Sequence, residues 1–183
     1  MMRLKSQLEN AKVYDIFAGN MAMFGPFTEA CEQIMRGPSA LTPGERELLG
    51  AFVSALNDCP YCHDVHNEAV KAFGIHGELT KNLKEDIDSA GIDERLKPLF
   101  KLARKATEAA YKVTDADFAA AYDAGWEDDA IRDAVVVACL FNFMNRLVST
   151  LGIEADQEYL AEAGERIRDA GYSGSLQRFS EPD

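Results

Sequence analysis

The sequence predicts an all-α protein, a single-domain helical bundle, on three observations. Strong helix formers (Ala, Leu, Glu and Lys) are abundant, while alternating runs of Val, Ile and Thr are nearly absent. Apolar residues recur at three- and four-residue spacing in one segment after another. Gly and Pro punctuate the chain between those segments.

In chain order, residues 4–23 carry Leu4, Leu8, Val13, Ile16 and Phe17 in helical rhythm, closed by Gly25-Pro26. A second helix is expected over residues 27–35, stopped by Gly37-Pro38. The clearest start signal follows: Thr42 can cap, Pro43 suits the first helical position, and Glu45 completes a Thr-x-x-Glu capping box. Leu48, Leu49, Phe52, Val53 and Leu56 then share one side, and Asn57-Asp58 ends the helix. The next helix starts at Cys59-Pro60 and runs through Val65, Ala69, Val70 and Phe73 to a stop at Gly74. Residues 79–89 read as a polar helix. Asp93 can open another, with Leu96, Leu99, Phe100 and Leu102 inward. Thr114 and Asp117 resemble a further cap ahead of Phe118, Ala121 and Tyr122, and Gly125 breaks that pattern. Residues 130–151 are apolar on nearly all sides, as expected of a buried central helix. An amphipathic helix over 156–170 follows, then an extended or disordered arm from Ser173. Residues 1–172 therefore read as one domain and 173–183 as its tail. Ala72-Phe73-Gly74-Ile75 and Thr150-Leu151-Gly152-Ile153 echo each other, as a duplicated helix pair would, although such stops also recur by chance.

At 183 residues and 47% hydrophobic, the chain is long and apolar enough for one core and is not a disordered sequence. Nineteen Lys and Arg against 31 Asp and Glu give a net charge of -12, and no basic stripe relieves it, which argues against nucleic acid as a partner. The first ten residues carry Arg3, Lys5 and Glu9 with no signal-like apolar run, and no stretch reads as a membrane span. The expectation is a soluble, cytoplasmic protein. Four irregularly spaced cysteines are too few for a secreted disulfide scaffold.

The chemistry concentrates in Asn57-Asp58-Cys59-Pro60-Tyr61-Cys62-His63-Asp64-Val65-His66. With Pro60 at the first helical position, Cys59 sits at the cap and Cys62 one turn inside, where free N–H groups and the helix dipole favour a thiolate. His66 lies four residues beyond Cys62 and seven beyond Cys59, on the same face. Two thiols and an imidazole on one face suffice for thiol redox chemistry, the imidazole moving the proton. His63 points away and reads as a surface residue. Glu47, on the preceding helix, falls at a depth comparable to His66 if the two helices pack antiparallel; a bridging water would join them. Glu47 alone could also be an ordinary first-turn acid.

Other readings compete with this one. Cys-x-x-Cys with a trailing His could hold a metal, but zinc usually needs four ligands and no second Cys/His pair is present, so no metal is expected. Two inert cysteines could also fall together by chance. Cys31 and Cys139, among apolar neighbours, read as buried core thiols, and His76 as a loop residue. Cys59-Pro60-Tyr61-Cys62 spells a glutaredoxin tetrapeptide, but the preceding segment has helical period and a capping box where that fold needs a strand.

The runs Glu45-Arg46-Glu47-Leu48-Leu49 and Val53-Ser54-Ala55-Leu56-Asn57, then Cys59-Pro60-Tyr61-Cys62 and His66, resemble the alkylhydroperoxidase D-like branch of the carboxymuconolactone decarboxylase superfamily. That signature is Glu, eleven residues, Cys-x-x-Cys, three residues, His, met by Glu47, Cys59, Cys62 and His66. Gly125-Trp126, Ala130-Ile131-Arg132-Asp133-Ala134 and Asn142-Phe143-Met144-Asn145-Arg146 resemble its peroxidase-related members. The resemblance implies an all-helical fold assembling as a homo-oligomer (trimer or hexamer), with the thiol site near a subunit interface. It implies a hydroperoxide reductase without a bound cofactor, recycled by an external dithiol or thiol protein. By position, Cys62 would be the peroxidatic cysteine, Cys59 the resolving thiol, and His66 with Glu47 a water-bridged proton relay. The chain departs from the pattern at Tyr61, where the best-studied members have His; a phenol cannot act as a base at neutral pH. The alternatives are a thiol–disulfide oxidoreductase without useful peroxidase activity, a decarboxylase-type lyase, and a non-catalytic redox sensor.

Overall fold

A computed structural model describes residues 1–7 and 9–180, with no side-chain description at 178–180. Among the described residues the regular structure is helical throughout: α1 (Val13–Ala18), α2 (Met21–Arg36), α3 (Pro43–Leu56), α4 (Pro60–Ala72), α5 (Leu79–Glu85), α6 (Lys97–Ala109), α7 (Asp115–Asp123), α8 (Asp128–Leu151) and α9 (Gln157–Ser180). The strongest sequence signals became helix ends. Glu45 N–H donates to Thr42 Oγ1 (3.2 Å) and Thr42 N–H to the Glu45 carboxylate (2.7 Å), closing the expected box at the start of α3. Gly74, Gly125 and Gly152 all take positive φ, and the next residue's N–H bonds back to the helix in each case (Ile75 to Val70, Trp126 to Ala121, Ile153 to Val148). Three helices share this stop, so the Gly-Ile echo reflects helix-stop chemistry that needs no duplication.

α3 is the hub, packing against α4, α8, α5 and α6, while α9 packs on α4, α2 and α1. Two apolar clusters result. The larger one holds Leu48, Phe52, Leu99, Phe100, Ile131 and Phe141. The smaller gathers Val13, Phe17, Val65, Val148 and Ile167 around Cys59, Tyr61 and Cys62.

Several expectations need correction. The described residues before Val13 are not helical, and Leu8 lies outside the described residues; the chain is tied down there by contacts such as Arg3 to the Ser149 and Thr150 carbonyls. Pro26 lies inside α2 instead of ending a helix. Its missing N–H affects only the carbonyl of exposed Ala22, and its neighbours Phe24 and Phe27 pack on Phe17 (centroids 4.2 and 5.9 Å), outweighing one lost bond. α8 is not buried all round: Ile131, Val137, Phe141 and Val148 face inward, while Val136, Cys139 and Phe143 are exposed, so Cys139 is not a core thiol. By length and composition alone α8 could also span a membrane, contrary to the sequence reading; here it packs on α3 and α6. Finally, the arm expected from Ser173 is helical through Ser180, continuing α9 after a kink at Gly171, with Ser175 and Leu176 buried; residues 181–183 lie outside the described residues.

Candidate active site

The turn between α3 and α4 sets the two sulfurs. Asp58 adopts positive φ (48°), a conformation that Asp tolerates, and Cys59 N–H bonds back to the Ser54 carbonyl at 3.0 Å. Pro60 then opens α4, leaving Cys59 at its cap and Cys62 one turn in; both are buried. A Cys62 S–H bond to Cys59 brings the Cys59 thiol down to about 6, helped against burial by the Ser149 hydroxyl, the Cys62 amide and His66. The same bond, with burial and the Cys59 charge, pushes Cys62 well up, opposed by Asn145. The hydrogen bond between the sulfurs thus favours negative charge on Cys59, with Cys62 S–H as its donor.

The sulfurs open onto different spaces. Cys62 lines an interior cavity of about 60 Å³, together with His66, Phe141, Met144, Tyr159 and Tyr172. Cys59 lines an outer groove of about 390 Å³ with Asp58, His63, Asp64, Lys81 and Lys84. His63, expected at the surface, instead lines that groove beside Cys59, half-buried against Asp64 (2.8 Å) and Thr80 (3.2 Å), and it does not line the Cys62 cavity.

Glu47 and His66 meet directly. His66 Nδ1 is 2.7 Å from Glu47 Oε2, so the expected bridging water is unnecessary: α3 and α4 pack closely enough for contact. With Nδ1 as donor to the carboxylate, Nε2 is left for proton transfer. Glu47 is fully buried, and its other oxygen accepts from Arg36 (2.6 Å) and the Tyr172 hydroxyl (3.0 Å). Burial alone would raise this carboxyl, but His66 and Arg36 outweigh it and hold Glu47 below the usual carboxylate range. The His66 ring sits between Phe141 (4.6 Å, edge-on) and Tyr172 (6.3 Å, stacked). Phe141 reaches it because Gly50 leaves room; a Cβ there would lie 2.3 Å from the ring.

Tyr61 is buried, stacks on Tyr159 (5.9 Å) and donates its hydroxyl to the Tyr159 hydroxyl (3.0 Å). Burial, and then Tyr159, push its phenol well above the usual value, so it stays a neutral wall of the cavity. Sequence reasoning missed Arg36, Tyr172, Phe141 and Asn145. Asn145 bridges the α3–α4 turn, accepting from Asn57 (2.9 Å) and donating to Ser54 (2.9 Å) beside Cys62. Its signal was present, since a buried Asn in an apolar helix requires partners. Among the described residues no group of three or more His, Cys, Asp or Glu side chains could hold a metal ion.

Residues 22–78, which carry all four signature residues, match the carboxymuconolactone decarboxylase family. A peroxidase-related protein from Silicibacter sp. TM1040 is similar in structure, with a TM-score of 0.76 and 29% identity over 82% of this chain and 79% of that one. A second, titled alkylhydroperoxidase AhpD core, a peroxidase-related protein from Ralstonia eutropha JMP134, gives 0.73 and 25% over 81% and 78%. A search of curated proteins finds no significant match. In fold and in this motif the chain is thus similar to the carboxymuconolactone decarboxylase family and to these peroxidase-related structures.

Proposed function

We propose that the protein reduces hydroperoxides with the Cys59–Cys62 dithiol. The observation that carries this reading is the pairing of Cys62 with His66 in one cavity, His66 being held by Glu47, while Cys59 contacts Cys62 from an outer groove. The proton shared by the sulfurs moves to Cys59, leaving a Cys62 thiolate facing the cavity. This thiolate attacks the terminal peroxide oxygen: an S–O bond forms, the O–O bond breaks, and the departing alkoxide takes from His66 the proton that the dithiol had released to its Nε2, with Glu47 stabilising the imidazole while it carries that proton. Cys59 then attacks the Cys62 sulfenic acid, an S–S bond forms, and the released hydroxide leaves as water with the Cys59 proton. One hydroperoxide and two thiols become an alcohol, water and a disulfide. An external dithiol, approaching Cys59 through the groove, takes up the oxidation by thiol–disulfide exchange.

This reading puts the protein in a reducing compartment such as the cytoplasm, with no bound cofactor. It also assigns the exposed Val136 and Phe143 of α8 to contacts between copies in a homo-oligomer, testable by sedimentation. A second reading has a specific observation behind it: a thiol brought to about 6 on an open groove also suits a thiol–disulfide oxidoreductase acting on partner proteins. Decarboxylation has only the family description in its favour. The test is to treat reduced protein with one equivalent of ethyl hydroperoxide and follow it by mass spectrometry. Loss of two hydrogens mapped to Cys59–Cys62, with one equivalent of ethanol, supports the peroxidase. No peroxide loss, with a mixed disulfide to a protein trapped in Cys62→Ser, favours the oxidoreductase.

A further inference from the structure

Part of the wall of the Cys62 cavity comes from a segment far from the motif. At Gly171 (φ 64°, ψ -155°) α9 kinks, and the segment beyond carries Tyr172 into the cavity wall and buries Ser175 and Leu176. This segment is fastened at its first turn. The Glu32 carboxylate of α2 accepts the Tyr172 N–H (2.6 Å) and the Ser173 N–H (3.4 Å), so an anion meets the free amides of a restarted helix. Gly171 is required at the junction on two counts: its φ is one that L side chains rarely adopt, and a Cβ would lie 2.4 Å from the Glu32 carboxylate. The space left beside the sulfur, about 60 Å³, is well under half of the ~150 Å³ cavity that accommodates benzene.

We propose that residues 172–180 form a cover over Cys62, latched by Glu32, and that the closed cavity restricts the site to hydrogen peroxide and short-chain hydroperoxides. The size restriction on peroxides rests on the function proposed above; the cover itself does not. With the latch intact, a substrate of one or two carbons reaches Cys62 beside His66, while an aromatic hydroperoxide requires the segment to swing at Gly171. Weakening two charge-assisted bonds shifts such a closed–open equilibrium by about tenfold or more.

The test measures access to Cys62 without using peroxide. In a Cys59→Ser background, Cys62 is labelled with methyl methanethiosulfonate and with benzyl methanethiosulfonate, and the rates are read on the Cys62 peptide by mass spectrometry. The small reagent is expected to outpace the large one by about a hundredfold. Glu32→Ala and Gly171→Ala, which loosen the latch from opposite sides, should each raise the benzyl rate about tenfold and leave the methyl rate within about twofold; Glu32→Gln, keeping an acceptor, should do less. Equal rates for the two reagents without latch substitutions, or unchanged selectivity in both latch variants, overturn the cover. The starting ratio decides the matter even if one variant fails to fold. Wild type that consumes cumene hydroperoxide as fast as ethyl hydroperoxide overturns the size restriction yet upholds the peroxidase. Wild type that consumes neither removes the peroxidase, while the labelling still decides the cover.

Discussion

Replacing Cys62 by Ala removes the S–H that solvates the Cys59 anion, the largest influence on that thiol. A thiol brought from near 9 to about 6 reflects about 4 kcal/mol of preferential stabilisation of the thiolate, which favours that form at neutral pH. A hydrogen bond to a charged group contributes about 1.5–3 kcal/mol, so its loss should move the Cys59 midpoint up to between about 7 and 8. The Ser149 hydroxyl, the Cys62 amide and His66 remain, so the thiol should stay below its unperturbed range. The assay is the pH dependence of iodoacetamide alkylation at Cys59, read on its peptide, with thiolate absorbance as a second probe. A wild-type midpoint above 8, or an unchanged midpoint in Cys62→Ala, would refute the view that the two sulfurs share one charge.

Glu47→Gln removes the buried carboxylate that holds the part-buried Arg36 and His66; it should cost about 3 kcal/mol and lower the melting temperature by about 6–12 °C in calorimetry. Because Glu47 titrates lower folded than unfolded, its contribution is full above about pH 4.3 and disappears as pH falls through its folded value. Urea midpoints should therefore fall more steeply below about pH 4 in wild type than in Glu47→Gln. Gly50→Ala places a methyl against Phe141 and should cost about 1–3 kcal/mol by urea unfolding. It should also slow peroxide-driven oxidation by displacing the ring beside His66.

Features whose cause lies within a few residues were legible in the sequence. The Thr42–Glu45 box and the glycine stops at 74 and 125 fix helix ends through bonds to the nearest turn, so their patterns survive folding intact. The same locality puts Cys59 at the cap of α4, with Cys62 and His66 on one face. Glu47 was within reach because one short turn links its helix to α4. Pro26 and the last helix were misread because distant partners decide them: Phe17 for one, Glu32 for the other. Arg36 and Tyr172 were invisible for the same reason, since each meets Glu47 from a helix whose approach no local pattern encodes. Ionisation of the sulfur pair was beyond spacing as well, because it depends on which thiol donates to the other.

The most direct measurement is steady-state consumption of ethyl hydroperoxide with a small dithiol as reductant, comparing wild type, Cys59→Ser and Cys62→Ser. The account predicts turnover in wild type, one stoichiometric oxidation of Cys62 without turnover in Cys59→Ser, and no reaction above background in Cys62→Ser. Undiminished turnover in Cys62→Ser would contradict it.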